Sequence, residues 1–197
     1  MIAIPTLDDL LAAGFAMGGE RLVALDLVDT LMLTMDPPVD LIGTPAQLAR
    51  WWELQEVRLP AGPLPDATSV RRLRAAIRDV FDSHLAGRAP LATSVEDINA
   101  TAAGAPASLR MVLSGDELYA ETRWHTEYGG NAALAAIARE TIELMADATR
   151  LETLKRCANP NCSMLFLAEH KRRQWCVGSV CGNRARVARH YEKTRRS

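Results

Sequence analysis

The sequence predicts an α+β protein in two parts: a mainly helical body with a small antiparallel sheet over residues 1–150, and a small cysteine-containing domain over residues 151–197. Three observations support this prediction. Apolar residues recur at helical spacing in several stretches of the body. Two strand-like segments flank a Ser-Gly-Asp turn, which is typical of a β-hairpin. All four cysteines lie in the last quarter of the 197-residue chain.

The first element of the body is predicted from the apolar run Leu22–Leu33, which favours a buried strand because it is too apolar for a surface one. Only three polar residues interrupt it: Asp26, Asp29 and Thr30. We expect Asp26 and Asp29 to anchor a neighbouring loop or cap a helix, because a buried carboxylate needs hydrogen bonds or a charged partner. A pocket for a small polar or cationic ligand is the alternative, and acid–base catalysis by the pair is a weaker one.

Two helices are predicted next, separated by proline-rich connections. Thr44-Pro45 suits the start of the first helix, and Trp51 and Trp52 belong to its core side. The second helix runs from about residue 67 to 86, with His84 on its apolar stripe. Its arginines are expected mostly on a solvated face, with a basic patch as the alternative: Arg71, Arg72, Arg74 and Arg78.

A short helix from Ser94 to Gly104 precedes the predicted hairpin, residues 107–114 and 117–125. Trp124 and His125 end this hairpin. They are expected to pack in the ordinary way, or alternatively to line a ligand pocket with Asp26 and Asp29. The longest helix, residues 131–150, then leads into the first cysteine without a flexible linker, so we expect it to couple the two parts mechanically.

The cysteines follow the pattern C-x4-C-x13-C-x4-C, formed by Cys157, Cys162, Cys176 and Cys181. Two close pairs separated by a short insert are typical of a tetrahedral structural zinc site. Four thiolates leave no open coordination position, so we expect one structural Zn²⁺ in a small treble-clef-like zinc-binding domain. Two disulfides and an iron–sulfur cluster remain as alternatives.

Charge is divided unevenly along the chain. Residues 150–197 hold twelve Lys or Arg against three Glu, a formal charge of +9, whereas the whole chain carries −1, so residues 1–149 carry −10. This asymmetry indicates an anionic partner for the C-terminal segment. Two sets of residues are expected to contact phosphates. One is a stripe on the C-terminal helix, Arg186, Arg189, Lys193 and Arg196, and the other is in the insert between the cysteine pairs, Lys171, Arg172 and Arg173. Arg184 is ambiguous, because it suits a bond back to the zinc knuckle as well as contact with a base edge.

The other side of this C-terminal helix is expected to pack against the zinc knuckle. It holds four apolar residues: Val180, Val187, Ala188 and Tyr191. Ser179 is a candidate cap for the start of the helix. Met164–Leu167 is expected to form a small strand beneath the metal.

Cys181-Gly182-Asn183-Arg184, together with the cysteine spacing and Trp175, resembles the CGNR zinc finger. Residues 25–30 resemble the D-L-V-N-T segment of the ABATE domain that precedes this finger, with Asp29 in place of the usual Asn. The resemblance covers essentially the whole chain and implies a stress-induced transcriptional regulator of bacteria, with DNA as its target.

These observations lead us to expect a cytoplasmic regulator that binds nucleic acid, DNA more than RNA, with a small-molecule effector and a homodimer as further possibilities. Acidic residues near the N-terminus and the lack of a long apolar run argue against a signal peptide or a membrane span. A protein-interaction module is the leading alternative. An enzyme is disfavoured because the sequence has no nucleophile motif, phosphate loop or open metal site.

Overall fold

The computed structural model describes residues 6–15 and 19–196. Its helices are α1 Leu7–Ala12, α2 Val23–Asp29, α3 Pro45–Gln55, α4 Ala67–Leu85, α5 Ala92–Gly104, α6 Ala132–Ala146, α7 Ala148–Leu151 and α8 Asn183–Arg196. Its strands form three two-stranded antiparallel sheets: β1 Leu31–Met32 with β2 Val39–Asp40, β3 Ala107–Ser114 with β4 Glu117–Trp124, and β5 Leu154–Arg156 with β6 Leu165–Leu167. The predicted α+β class is confirmed.

The core of the body lies around helix α4, which packs against α2, α5 and α6. Its apolar stripe is buried at Leu73, Ile77 and Phe81, as helical spacing predicts. Side chains cap the main helices: Asp66 accepts a hydrogen bond from the backbone N–H of Ser69 at 2.9 Å, and Thr44 and Asn131 cap α3 and α6. Among the described helices, none combines the length and apolar character needed to cross a membrane.

The prediction of a strand over the first apolar run is wrong, because Val23–Asp29 is a helix whose seven residues are all buried. A short run that is apolar on every side fits a buried helix as well as a buried strand, so periodicity does not separate them. Its N-terminus has no side-chain cap of its own. Glu140 from α6 supplies one, accepting the backbone N–H of Ala24 at 2.8 Å.

The predicted hairpin is confirmed, and its register aligns Ala107 with Trp124 and Ser114 with Glu117. Gly115 adopts a φ of +60° in the two-residue loop, which glycine tolerates without strain. At the base of the hairpin, the Arg139 guanidinium lies 4.8 Å from the centre of the Trp124 ring. Most of the hairpin beyond this base is exposed.

Two of the four α4 arginines are not on the solvated face that the sequence predicts. Arg74 is buried and pairs with Asp40 at 2.7 Å, and Arg78 is buried and pairs with Asp82 at 2.9 Å. These two residues lie one turn apart. Arg74 faces the small sheet β1–β2, and Arg78 faces the C-terminal domain, where its Nη2 donates to the carbonyl of Ser163 at 2.9 Å. His84 was expected on the buried side but is exposed near the end of the helix.

The C-terminal domain shares the core of the body. Leu154 and Leu165 belong to the same buried cluster as the α4 residues. The long helix expected over residues 131–150 is interrupted at Asp147, whose side chain caps the short helix α7 by accepting the backbone N–H of Arg150 at 3.0 Å. The chain therefore passes from the body into β5 through the short helix α7, and mechanical coupling by a single long helix stays a prediction.

Burial raises the pKa of Glu140 from its ordinary value of 4.5 to about 7. Because the raised pKa belongs to the folded state, ionisation of this carboxyl destabilises the fold, and the loss develops as the pH rises from about 4.5 through about 7. Glu140→Gln keeps an acceptor for the N–H of Ala24 but cannot ionise. We expect its free energy of unfolding, relative to that of the wild type, to be higher at about pH 8 than at about pH 5 by on the order of 2 kcal/mol.

Urea denaturation of both proteins at the two pH values measures this gain, and metal loss at low pH cancels in the difference. Glu143→Gln is the control, since this residue is exposed on the same helix. A stability difference between Glu140→Gln and the wild type that does not change with pH would contradict the prediction.

Candidate metal centre and basic surface

The first pair of cysteines lies in the turn that joins β5 to β6. Cys157 directly follows β5, and its backbone N–H donates to the carbonyl of Met164 at 2.9 Å, which continues the ladder of the sheet. Cys162 closes the turn by donating its N–H to the carbonyl of Asn159 at 2.9 Å. The hairpin therefore fixes the direction of both side chains.

The second pair lies at the start of the C-terminal helix. Cys181 belongs to the helical turn Gly178–Gly182, and its N–H donates to the carbonyl of Val177 at 2.9 Å. Helix α8 begins two residues later, at Asn183. A knuckle on a hairpin and a second pair at a helix start is the treble-clef-like arrangement expected from the sequence.

All four cysteines are buried, and their sulfurs lie within 4.8 Å of one another. The Sγ atoms of Cys162 and Cys176 are 3.7 Å apart, as are those of Cys176 and Cys181. A tetrahedron with zinc–sulfur bonds of about 2.3 Å has sulfur–sulfur edges of about 3.8 Å, whereas a disulfide needs about 2.05 Å. The cysteines are free thiols, so the disulfide alternative is wrong, and the site fits one structural zinc ion.

The surroundings of the sulfurs also suit a metal. The Asn159 side-chain NH₂ donates to the Cys181 sulfur at 3.6 Å. Hydrogen bonds from the thiols of Cys162 and Cys176 lower the pKa of Cys157, whereas hydrogen bonds with Cys157 and Cys162, together with burial, raise the pKa of Cys176. Only some of these sulfurs can ionise unaided, and a divalent cation would stabilise all four thiolates together.

The signature residues after Cys181 have separate roles in packing. A Cβ atom on Gly182 would lie 3.2 Å from the Trp175 ring, so glycine lets the ring cover the start of the helix. The Asn183 side chain donates to the carbonyl of Ser179 at 2.7 Å. The expected capping of α8 by the Ser179 side chain stays a prediction, and the contact seen at this position is made by the Ser179 carbonyl.

One of the predicted phosphate contacts is used inside the protein. The Arg173 guanidinium donates to the carbonyl of Cys176 at 2.6 Å, pairs with Glu20 of the body at 3.0 Å and lies 4.4 Å from the centre of the Phe166 ring. These contacts leave it little freedom to bind a phosphate, so Arg173 clamps the metal-site loop to the body. Arg156 also pairs across the junction, with Asp82 at 2.7 Å.

The remaining predicted contacts on described side chains point to solvent. Lys171, Arg172, Arg184 and Arg186 are exposed. Lys171, Arg172 and Arg184 pair with no carboxylate in the part of the chain that the structure describes, and Arg186 donates to the Asn183 side chain. Arg189, Lys193 and Arg196 lie on helix α8, but their side chains fall outside the described ones.

The expected packing of the α8 apolar side against the knuckle is wrong for two residues. Val187 and Tyr191 are 54% and 66% exposed, whereas Val180 does pack against the cysteine cluster. The turn Gly178–Gly182 has π-helical spacing, which adds a residue relative to an α-helix. Residues that α-helical spacing would place on the same side as Val180 therefore lie on another side of the helix. Ala188 lies outside the described side chains.

The four residues considered for a ligand pocket are engaged elsewhere. Asp26 forms a buried ion pair with Arg58 at 2.6 Å. Asp29 accepts the backbone N–H of Leu165 at 3.0 Å. Trp124 packs at the hairpin base, and His125 contacts Ser108 and Glu127. The anchoring role expected for the two aspartates agrees with these contacts. Arg58, which the sequence analysis did not single out, has no motif that would have revealed it.

The fold and the site define a zinc-finger protein with a helical body fastened to its finger. Comparison with protein families identifies it further. The ABATE family model, described as "Putative stress-induced transcription regulator", matches residues 22–148, and the CGNR zinc finger model matches residues 153–194. The chain belongs to the ABATE family, as its sequence resemblance implies. A search of curated proteins finds no match.

We expect Cys176→Ser to reduce the zinc content from one ion per chain to well below one, because the site loses a ligand. The loss should also lower the melting temperature of the whole chain, since Leu154 and Leu165 carry the finger into the core of the body. Elemental analysis and calorimetry measure the two effects. Ser179→Ala, at an exposed residue of the turn Gly178–Gly182 that follows Cys176, is the control. Unchanged zinc content in Cys176→Ser would contradict the assignment of Cys176 as a zinc ligand.

Arg172 and Arg173 form a matched pair for testing the clamp, because they are neighbours that point in different directions. We expect Arg173→Ala to lower the free energy of unfolding by about 2 kcal/mol, since it removes the charged partner of Glu20 and the donor to the Cys176 carbonyl. Arg172→Ala should leave stability within about 0.5 kcal/mol of the wild type. Equal stability of the two variants would show that Arg173 is no clamp.

Proposed function

We propose that the protein is a cytoplasmic bacterial regulator whose zinc-stabilised C-terminal module binds nucleic acid, with DNA favoured over RNA. The proposal includes a small-molecule effector for the body and assembly into a homodimer. It assigns no catalytic residue. The family description supports regulation, and reduced cysteines that hold zinc suit a cytoplasmic setting.

The observation that carries the proposal is the division of the finger's cations into two sets. Three cations bind carbonyls or carboxylates of the chain itself: Lys155, Arg156 and Arg173. Others are exposed around the metal site and on α8. The fold therefore uses some of the positive charge and leaves the rest for an external anion, as phosphate binding requires.

Helix α8 supports the same conclusion by its composition. Among its fourteen residues it has six Lys or Arg and one Glu, a formal charge of +5. It starts next to the metal ligand Cys181 and contacts mainly the turn that contains it. The zinc site would thus hold the first turn of a basic helix in a fixed direction, with Arg184 and Arg186 exposed at its base.

A protein partner is the second candidate, because an acidic surface would also attract this helix. The two candidates differ in their response to salt. Neutralising several phosphates releases counterions, so nucleic-acid affinity should fall about 10³-fold or more between low and moderate salt. An acidic protein partner would show a shallower decrease.

We expect Arg184→Glu with Arg186→Glu to weaken binding to a duplex DNA probe by at least about tenfold, and to reduce the salt dependence by about two phosphate contacts. Fluorescence anisotropy with the zinc-loaded protein measures both quantities. Zinc content should not change, because neither side chain contacts a sulfur.

Arg50→Glu with Arg123→Glu is the matched control, since it makes the same charge change at exposed positions of the body. Retained affinity and salt slope in Arg184→Glu with Arg186→Glu would refute the proposed surface. Equal weakening by the body variant would show that only net charge matters. A single-stranded RNA probe that binds more tightly than the duplex would exclude the preference for DNA.

A further inference from the structure

The hairpin β3–β4 projects from the body with little support. Its two strands pair along eight residues each, and the body holds it chiefly at the base, where Trp124 packs against Ala105, Ala132 and Ala135. An isolated two-stranded hairpin is at best marginally stable in water. A hairpin of this length therefore needs another surface to pack against.

One face of the hairpin is apolar. Successive strand residues alternate between faces, and the register pairs Leu109 with Thr122, Met111 with Ala120, and Leu113 with Leu118. These six residues share one face, which has no charged side chain. The large members are among the most exposed apolar residues of the described chain: Leu109 78%, Met111 77%, Leu113 65% and Leu118 65%.

The other face is different. It carries the ion pair of Arg110 with Glu121, at 2.7 Å, together with Ser108 and Arg123. Exposed strands usually avoid association by carrying charges, and here the charges are confined to one face. The apolar face is left without this protection, which is typical of a surface that is covered in the working assembly.

We propose that this apolar face is a homodimer interface, on which the same face of a second copy of the chain packs. The four large side chains expose on the order of 500 Å² per copy, so two copies would bury about 1,000 Å² in total, close to the lower limit for a specific interface. A twofold contact places a patch against itself, which an uncharged apolar face satisfies without like-charge repulsion.

The charge pattern favours a second copy over other occupants. The face has no cation for a phosphate and no group that would steer an acidic or basic protein. The arginine nearest to it in the middle of the hairpin, Arg110, is neutralised by Glu121, so anionic lipid gains little there. The proposal is independent of nucleic-acid binding, although a dimer would present two basic helices.

Sedimentation of the zinc-loaded full chain, from about 1 µM to about 100 µM, tests the interface without any nucleic acid. We expect a monomer–dimer equilibrium in which Met111→Arg raises the dissociation constant at least about 100-fold, because each dimer would bury two unpaired charges. Tyr119→Arg is the matched control: it makes the same change on the opposite face, at a 49% exposed residue, and should still dimerise.

Circular dichroism and zinc content verify that both variants fold, which is expected because both side chains are largely exposed. A wild type that stays monomeric throughout overturns the proposal, as does a Met111→Arg variant that still dimerises. Equal loss in Tyr119→Arg overturns the assignment to this face. Binding of the monomer to neutral phosphatidylcholine vesicles would replace the second copy by a lipid surface. Added salt should preserve the dimer while it weakens DNA binding, which separates the two proposals.

Discussion

Strand β6 joins the metal centre to the body, and the alternation of its side chains makes this possible. Met164, just before the strand, and Phe166 pack in the cysteine cluster, whereas Leu165 and Leu167 pack in or against the core of the body. Neighbouring residues of a strand point to opposite faces, so one short segment contributes to two cores. Each core therefore depends on the position of the other, and the metal that orders the finger also fixes one wall of the body.

Strand β6, rather than the opposite charges of the two parts, holds the C-terminal domain on the body. The C-terminal domain is strongly basic and the body is strongly acidic. Electrostatic attraction alone would bring the basic surface of the domain into contact with the body. In the part of the chain that the structure describes, three ion pairs cross the junction: Arg173 with Glu20, Arg156 with Asp82, and Arg21 with Glu169. The packing of β6 in both cores fixes the orientation of the C-terminal domain relative to the body, and the ion pairs add to this packing.

The sequence predicted best the features that local chemistry determines. Cysteine spacing is set by tetrahedral coordination, so it predicted the metal centre. Turn residues predicted the hairpin, and Thr44-Pro45 predicted the start of α3. Helix α2 was missed because its residues are apolar on every side, so the sequence shows no alternation of apolar and polar residues that would distinguish a helix from a strand. The roles of Arg74 and Arg173 were missed because their carboxylate partners, Asp40 and Glu20, are distant in the chain. The burial of Arg78 was missed because it depends on the equally distant carbonyl of Ser163, although its carboxylate partner Asp82 is only four residues away.

Position 29 shows how a departure from the family pattern is accommodated. The resemblance to D-L-V-N-T places Asn where this chain has Asp29, and the structure shows what the position must provide: an acceptor for the N–H of Leu165. Asp and Asn both have such an oxygen, so the donor capacity of an amide is not required. Burial raises the pKa of Asp29, so the carboxyl can fill the role with less charge than an exposed aspartate would carry. The hydrogen bond ties α2 to β6, and β6 to the metal-site cluster. A displacement of α2 would therefore act directly on the strand that leads to the metal-site cluster.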